Sequence, residues 1–182
     1  MAASVNIFNK DDIILINDIT YKIIKLIGYG KGGYSYLATN GKTKVVIKKI
    51  HHEPCSYYNF GDKIQSELND YNTLFNIGIR IPKMFDCDLN KEIIVKEYIK
   101  GDVISDLIKE KKDISKYINQ LREFLPILYN SNINIDYYPT NFVVNSINDL
   151  IYYIDYECNT YDSKRDFNNW GIKYWNGEEA IN

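Results

Sequence analysis

Four glycines lie within six residues, between two runs of β-branched and aromatic residues, and this segment constrains the fold more than any other. The flanking runs, "TYKIIKLIG" and "YSYLAT", predict two strands joined by a tight turn. Glycine leaves room for another backbone or a ligand to approach closely. The glycines of this turn are Gly28, Gly30, Gly32 and Gly33. The segment therefore predicts a hairpin whose turn is open enough to bind a phosphate.

Three phosphate-binding motifs compete for these glycines. The dinucleotide fingerprint G-x-G-x-x-G fits Gly28, Gly30 and Gly33, but it must open a helix, whereas a strand follows here. The P-loop requires a lysine where Tyr34 stands. A hairpin that covers a nucleotide's phosphates fits the order of the strands, because the next strand, "VVIK", ends in Lys48. For the loop alone, an ordinary glycine-rich hairpin without a ligand is the favoured interpretation.

The chain has two halves with different residue patterns. Residues 13–99 contain short β-branched or aromatic runs separated by Gly, Asn and Pro, which predict strands. Apolar residues at three- and four-residue spacing predict one helix in this half, over residues 62–77. After Gly101 the pattern is mainly helical, returns to strands in "NFVVN" and "LIYYIDYE", and ends in a helix predicted over residues 162–170. Residues 99–102, "IKGD", are the predicted hinge.

Composition excludes several classes of partner. With 22 basic and 24 acidic residues the net charge is −2, which predicts that the protein binds neither nucleic acid nor a membrane surface. The hydrophobic content of 45% is sufficient for a core. Cys55, Cys87 and Cys158 are odd in number and form no CxxC pair, which predicts reduced thiols. The first residues lack the basic and apolar regions of a signal peptide, and we therefore expect a cytoplasmic location.

One cluster of metal-ligating residue types lies after the lysine strand. His51, His52 and Cys55 are one ligand short of a structural zinc site. A junction between a strand and a helix is also where exposed histidines are expected. We therefore favour exposed histidines over a metal site.

Further along the chain, charged and amide residues recur in an order that gives the glycine turn a context. Glu67 lies 19 residues after Lys48, in the predicted helix. Asp136 and Asn141 in "NIDYYPTNFVV" have the spacing D-x-x-x-x-N of a kinase catalytic loop. Asp155 ends an apolar strand. Each feature alone is weak, but their common order and spacing make the set specific.

From the glycine turn to Asp155 the chain resembles the protein-kinase-like superfamily. The resemblance implies an α+β, two-lobed protein-kinase-like fold with ATP and Mg²⁺ as cofactors. Residues 1–99 would form a β-rich N-terminal lobe with one helix. Residues 100–182 would form a small, mainly helical C-terminal lobe that lacks an activation segment.

Within the N-terminal lobe the resemblance assigns roles to single residues. The four glycines of the turn would cover the phosphates, although Ser35 also fits the third glycine position. Lys48 would contact the α- and β-phosphates and pair with Glu67. The backbone from Glu97 to Ile99 would meet the adenine. The plain alternative for Lys48 and Glu67 is a surface ion pair without a catalytic role, which contributes at most about 1 kcal/mol.

Within the C-terminal lobe the resemblance assigns the chemistry. Asp136 would be the catalytic base, while Asn141 and Asp155 would hold Mg²⁺. Hard oxygen ligands of this type suit Mg²⁺, which shares its shell with phosphates and waters. The plain alternative for Asp136 is a loop carboxylate that caps the turn before Pro139.

Departures from the family pattern bear on the substrate. Asn134 and Ile135 stand where regulated protein kinases have His and Arg, and "DYE" replaces "DFG". The 27 residues after Asp155 are too few for an activation segment and the later helices that carry peptide substrates. In outline the chain is similar to small Bud-type and RIO-type kinases, and also to choline and aminoglycoside phosphotransferases.

We therefore expect an ATP- and Mg²⁺-dependent phosphotransferase, and favour a small Ser/Thr protein kinase. A small-molecule kinase of the choline or aminoglycoside type is one alternative. A nucleotide-binding pseudokinase or scaffold is the other. The expected partners are ATP, a protein or small-molecule acceptor, and a partner protein that completes the small C-terminal lobe.

Overall fold

The structure, a computed structural model, describes residues 7–53 and 61–181. It is a mixed α/β protein with 30% helix and 33% strand. Two compact units are present, the first formed by the described residues of Met1–Ser66 together with Lys83–Tyr98, the second by Glu67–Pro82 and the described residues of Ile99–Asn182. These units differ from the predicted division into residues 1–99 and 100–182 chiefly in residues 67–82.

The first unit contains a curled antiparallel sheet of six strands in the order β1-β2-β3-β4-β6-β5. The strands are β1 Ile13–Ile16, β2 Ile19–Gly30, β3 Gly33–Thr39, β4 Lys44–Ile50, β5 Met84–Asp88 and β6 Ile93–Glu97. Register shifts between Ile23 and Lys25, and between Leu26 and Gly28, interrupt the pairing of β2 with β3. Such irregularities bend a strand, which accounts for part of the curl.

Successive side chains along β4 point to opposite faces of the sheet. Val45 and Ile47 lie in the main core of the first unit, which also contains Tyr36. Ile50 lies on the opposite face and packs with Ile64, from the start of the helix α1 Lys63–Asn76. Lys48 has the same parity as Ile50 and therefore lies on the same face of β4.

The second unit combines helices with short antiparallel strands. Its helices are the later part of α1, then α2 Ile104–Lys109, α3 Ser115–Asn130 and α4 Ile172–Trp175. Its strands are β7 Gly101–Val103, β8 Ile133–Ile135, β9 Phe142–Asn145, β10 Ile151–Tyr153 and β11 Cys158–Thr160. These form a sheet in the order β10-β9-β7 and a pair of β11 with β8. Phe142, Phe167 and Trp175 pack ring against ring in its core.

The C-terminal helix differs from its prediction. Residues 162–170 contain a 3₁₀ turn, Ser163–Arg165, and the start of a π-helical turn, Phe167–Gly171, which leads into α4. Asp166 has extended backbone and caps this turn by accepting the Asn169 N–H at 2.8 Å, so the helical backbone that leads into α4 begins only after Asp166. No helix among the residues that the structure describes is both long and apolar enough to cross a membrane.

Candidate functional site

The glycine-rich turn closes the hairpin between β2 and β3, where Gly30 pairs with Gly33. A Cβ atom at Gly33 would lie 2.5 Å from the Lys49 carbonyl oxygen, so the packing of β3 on β4 requires a glycine here. Among the described residues, no atom lies within 4 Å of a Cβ built at Gly30, and Gly28 would meet only the Ser35 Cβ, at 3.7 Å. Gly33 is therefore structural, whereas Gly28 and Gly30 leave open space beside the turn.

Lys48 brings an ammonium group to this turn. A Cβ atom at Gly32 would lie 3.4 Å from Lys48 Nζ, so the amine lies directly beside the glycine backbone. Lys48 pairs with Ser35 across β3 and β4, and its side chain is half-buried. A cation next to partly exposed glycine backbone is an arrangement that can bind a phosphate.

The segment predicted to meet adenine follows β6. The Glu97 N–H donates to the Lys83 carbonyl oxygen at 2.8 Å, and Glu97 Oε2 accepts the Lys83 N–H at 3.1 Å. Ile99 is buried and begins the second stretch of the other unit. Because the Glu97 N–H already has an acceptor, an adenine would bind other backbone groups of this segment. The assignment of Glu97 and Ile99 to adenine stays a prediction.

In the second unit, Asp136 directly follows β8 in a tightly bonded loop. Asp136 Oδ1 accepts the Tyr138 N–H at 3.1 Å, and the Asp136 N–H donates to the Tyr153 hydroxyl at 3.3 Å. Between them, the carbonyl oxygen of the buried Tyr137 accepts the Trp175 Nε1–H at 2.9 Å. These bonds attach the loop to the core on both sides of Asp136.

Asn141 lies close to Asp136. It ends the 3₁₀ turn Pro139–Asn141 that leads into β9, and its Nδ2 donates to the Asp136 carbonyl oxygen at 3.3 Å. The Asn141 carbonyl oxygen accepts the Ile154 N–H at 2.8 Å, one residue before Asp155. The five-residue spacing therefore corresponds to direct contact between Asp136 and Asn141, and the same turn borders Asp155.

Asp155 and Glu157 flank a buried tyrosine after β10. The Tyr156 hydroxyl donates to the Pro82 carbonyl oxygen at 2.6 Å and holds this segment in place. Asp155 Oδ1 accepts the Tyr156 N–H at 3.0 Å. Pairing of Ile135 with Cys158 across β8 and β11 brings Glu157 beside Asp136. The "DYE" motif thus places two carboxylates near the predicted base.

The surroundings of Asp136 shift the pKa of its carboxyl. Burial raises the pKa of the Asp136 carboxyl above its ordinary value, and the hydrogen bond from the Tyr138 N–H opposes this rise. The negative charges of Glu157 and Asp155 raise the pKa further. A carboxylate with a raised pKa accepts a proton more readily, which suits a general base.

Helix α1 adds two more carboxylates. Glu67 is buried, and Asp70 lies one helical turn later, where its Oδ2 accepts the Cys158 N–H at 3.1 Å. Burial raises the pKa of the Asp70 carboxyl, and the charges of Glu157, Glu67 and Asp155 add to this effect. We call the following set the carboxylate cluster: Glu67, Asp70, Asp136, Asp155 and Glu157. The predicted pair of Lys48 with Glu67 stays a prediction, since the two residues belong to different units.

The donor set fits Mg²⁺ bound together with a nucleotide. Within residues 7–53 and 61–181, no three His, Cys, Asp or Glu side chains are grouped so that they could hold a metal ion by themselves. Mg²⁺ usually keeps several waters and takes one or two carboxylates together with substrate phosphates. Asn141 and Asp155 offer hard oxygen donors of this kind. A cation would also relieve the repulsion within the carboxylate cluster.

The sequence interpretation missed four residues of these sites. Helical spacing from Glu67 could have identified Asp70, and Glu157 was visible in "DYE". His51 was expected to be exposed, but it is buried and bonded to the Gly30 carbonyl oxygen, because this strand end packs under the glycine turn. Lys63 lies near it and gave no signal. His52 is exposed and bonded to Glu92, and Cys55 lies outside the described residues.

An Asp70→Asn variant should be more stable than the wild type at pH 7. The Asp70 pKa is raised in the folded protein, so the carboxyl favours folding below its ordinary value of 3.8 and loses that contribution as the pH rises through the raised value. Asparagine removes the ionised form and can still accept the Cys158 N–H. We expect a gain of at most about 1 kcal/mol, because solvent screens a half-buried carboxylate.

Urea unfolding between pH 4 and pH 8, without divalent cations, measures this gain. The difference between variant and wild type should shrink as the pH falls toward 4. Asp18→Asn, which neutralises an exposed carboxylate in the turn between β1 and β2, is the matched control and should show a smaller effect. Equal gains in unfolding free energy for both variants would contradict the explanation that the gain comes from removing a partly buried charge.

Neither the comparison with protein-family models nor that with curated proteins finds a match to this chain.

Proposed function

We propose that this protein is an ATP- and Mg²⁺-dependent phosphotransferase with a protein-kinase-like fold, and that its acceptor is a Ser or Thr hydroxyl of a protein. The observation that carries the proposal is the contact between Asp136 and Asn141, with Asp155 next to the same turn. The D-x-x-x-x-N spacing alone is common. With Asp155 beside the same turn, the pair would supply the base and the two oxygen ligands for Mg²⁺ that phosphoryl transfer requires.

The first unit supplies groups for binding phosphate. Lys48 Nζ lies beside the Gly32 backbone, a Cβ at Gly30 would meet open space, and a Cβ at Gly28 would contact only Ser35. An ammonium group contacts phosphate oxygens as a point charge. We propose that Lys48 binds the α- and β-phosphates and that the exposed glycines allow them to approach the backbone.

The second unit supplies groups for the transfer itself. Asp136 would take the proton of the acceptor hydroxyl while the hydroxyl oxygen forms a bond to the γ-phosphorus. The bond between the γ-phosphorus and the oxygen that bridges it to the β-phosphate would break, and ADP would leave. Asn141 and Asp155 would hold Mg²⁺, which when bound neutralises charge on the phosphate oxygens. The Tyr138 N–H keeps the Asp136 carboxylate oriented before the acceptor binds.

ATP with Mg²⁺ should raise the melting temperature of the wild type. A ligand that binds only the folded state at 100 times its Kd stabilises it by about 2.7 kcal/mol. For a chain of this size that corresponds to roughly 5–10 °C. Differential scanning fluorimetry with millimolar ATP and Mg²⁺ measures the shift, with Mg²⁺ alone and adenosine with Mg²⁺ as controls.

Lys48→Met should lose most of this shift, while its melting temperature without nucleotide should stay close to that of the wild type. Absence of any shift in the wild type at millimolar nucleotide would contradict the proposed function. Incubation with γ-labelled ATP and separate protein and metabolite pools then identifies the acceptor. Labelling of a metabolite alone would favour the small-molecule kinase, and nucleotide binding without labelling would favour the pseudokinase.

A further inference from the structure

Two buried side chains bind the backbone of the glycine-rich turn. Lys63, in the first turn of α1, and His51, just after β4, are each 7% exposed. The Lys63 ammonium donates to the Lys31 carbonyl oxygen at 3.0 Å and to the His51 carbonyl oxygen at 2.6 Å. His51 Nε2 lies 2.8 Å from the Gly30 carbonyl oxygen. Two successive carbonyls of the turn, those of Gly30 and Lys31, are therefore bound by buried side chains.

The hydrogen bonds of His51 define its tautomer. The Glu53 N–H donates to His51 Nδ1 at 3.2 Å, so Nδ1 is unprotonated and Nε2 carries the hydrogen that it donates to Gly30. The Tyr29 ring stacks on the imidazole at 5.7 Å between centroids. The Tyr29 and Tyr34 hydroxyls donate to the two carboxylate oxygens of Glu53. The residues that flank the turn are thus bonded to the same segment as His51.

Bound carbonyls determine where the neighbouring amide points. In a planar trans peptide group, the C=O of one residue and the N–H of the next point in opposite directions. Because the Lys31 carbonyl faces Lys63, the Gly32 N–H faces away from Lys63. Gly32 is also the residue whose backbone lies beside Lys48 Nζ. Backbone N–H groups directed out of a turn form anion-binding sites together with nearby cations.

We propose that Lys63 and His51 are positioning residues that orient the glycine-rich turn for phosphate binding. Lys63 does so by donating hydrogen bonds to backbone carbonyls, whereas Lys48 provides the positive charge that attracts the phosphate. The turn is therefore rigid before the nucleotide arrives, so nucleotide binding does not have to offset a loss of conformational entropy in the turn. The orientation of the turn stands on the contacts above, and its consequence for ATP rests on the proposed function.

Lys63→Met should loosen the turn and weaken ATP binding without slowing transfer at saturating ATP. Backbone ¹⁵N relaxation should give order parameters of about 0.85 for Lys31 and Gly32 in the wild type and below about 0.6 in the variant. Calorimetry with ATP and Mg²⁺ should show an affinity about tenfold lower, since the turn must then be ordered on binding. The transfer rate at saturation should change less than about twofold.

Three variants test the specificity of this result. Lys63→Arg keeps a donor and should restore rigidity and affinity. Lys91→Met removes a similar ammonium bond, to the Leu15 carbonyl oxygen, and should leave the turn rigid. His51→Phe keeps the ring but removes the bond to Gly30, and should loosen the turn even if Lys63→Met does not fold.

Two results would overturn the proposal. One is a mobile turn in the wild type, with order parameters below about 0.6 at Lys31 and Gly32. The other is an unchanged turn in both Lys63→Met and His51→Phe. Failure of the wild type to bind ATP would instead contradict the proposed function, because the relaxation measurement needs no nucleotide.

Discussion

An Asp136→Asn variant should transfer phosphate about 100-fold more slowly than the wild type, or slower still, which is the usual loss for a positioned general base. Its affinity for ATP with Mg²⁺ should stay nearly unchanged, because Asp136 acts on the acceptor hydroxyl. Asparagine can still accept the Tyr138 N–H, so the loop should keep its conformation. Calorimetric titration with nucleotide and a transfer assay that includes autophosphorylation measure both effects.

Asp155→Asn is the matched control for this prediction. It makes the same chemical change at a predicted metal ligand, so it should weaken Mg²⁺-dependent ATP binding as well as transfer. A wild type that binds ATP but labels no acceptor, with Asp136→Asn indistinguishable from it, would assign the protein to the pseudokinases. Equal loss of ATP affinity in both variants would show that the two aspartates do not have separate roles.

The second large effect is structural. Gly33→Ala should destabilise the protein by about 3 kcal/mol, the upper range for overpacking, which lowers the melting temperature by about 6–12 °C for a chain of this size. The new Cβ would lie 2.5 Å from the Lys49 carbonyl oxygen and 3.3 Å from the Ile50 Cα, and neither is the end of a flexible side chain. Thermal and urea unfolding without nucleotide measure this loss.

Gly30→Ala makes the same change three residues earlier, where the structure leaves open space. Its effect on unfolding should stay within about 0.5 kcal/mol. If phosphates approach the turn, Gly30→Ala should nevertheless weaken ATP binding, whereas Gly33→Ala acts through stability. Similar destabilisation by both variants would contradict the distinction between a structural and an open glycine.

The local residue pattern was sufficient to predict the long, regular strands and helices. "KVVIKKI" predicted a strand that the structure places at Lys44–Ile50, and the helix predicted over residues 62–77 is Lys63–Asn76. The mixed α/β character also followed from these runs. The two-lobed kinase arrangement remains part of the proposal. Strands β7, β8 and β11 were missed because each has only three residues and does not lie in a longer apolar run, whereas the equally short β10 lies within "LIYYIDYE".

The roles of the other residues in the candidate sites depend on contacts between residues that are distant in sequence. Nothing local distinguishes Gly33 from Gly30; the carbonyl of Lys49 on the next strand does. Likewise, Lys63 contacts Lys31 across 32 positions, and Asp70 accepts a hydrogen bond from Cys158 across 88. Only the folded chain brings these partners together.

By itself, the sequence determined which residue types stand at which spacing: the glycines, Lys48, and the series Asp136, Asn141 and Asp155. Periodicity follows from covalent geometry and is local, so it can be read from the chain. Burial, hydrogen-bond partners and pKa shifts depend on atoms that are distant in sequence, so only the tertiary structure decided them. For that reason the structure alone showed that the partly buried Asp136 carboxyl lies near other carboxylates and that Lys63 donates hydrogen bonds to backbone carbonyls.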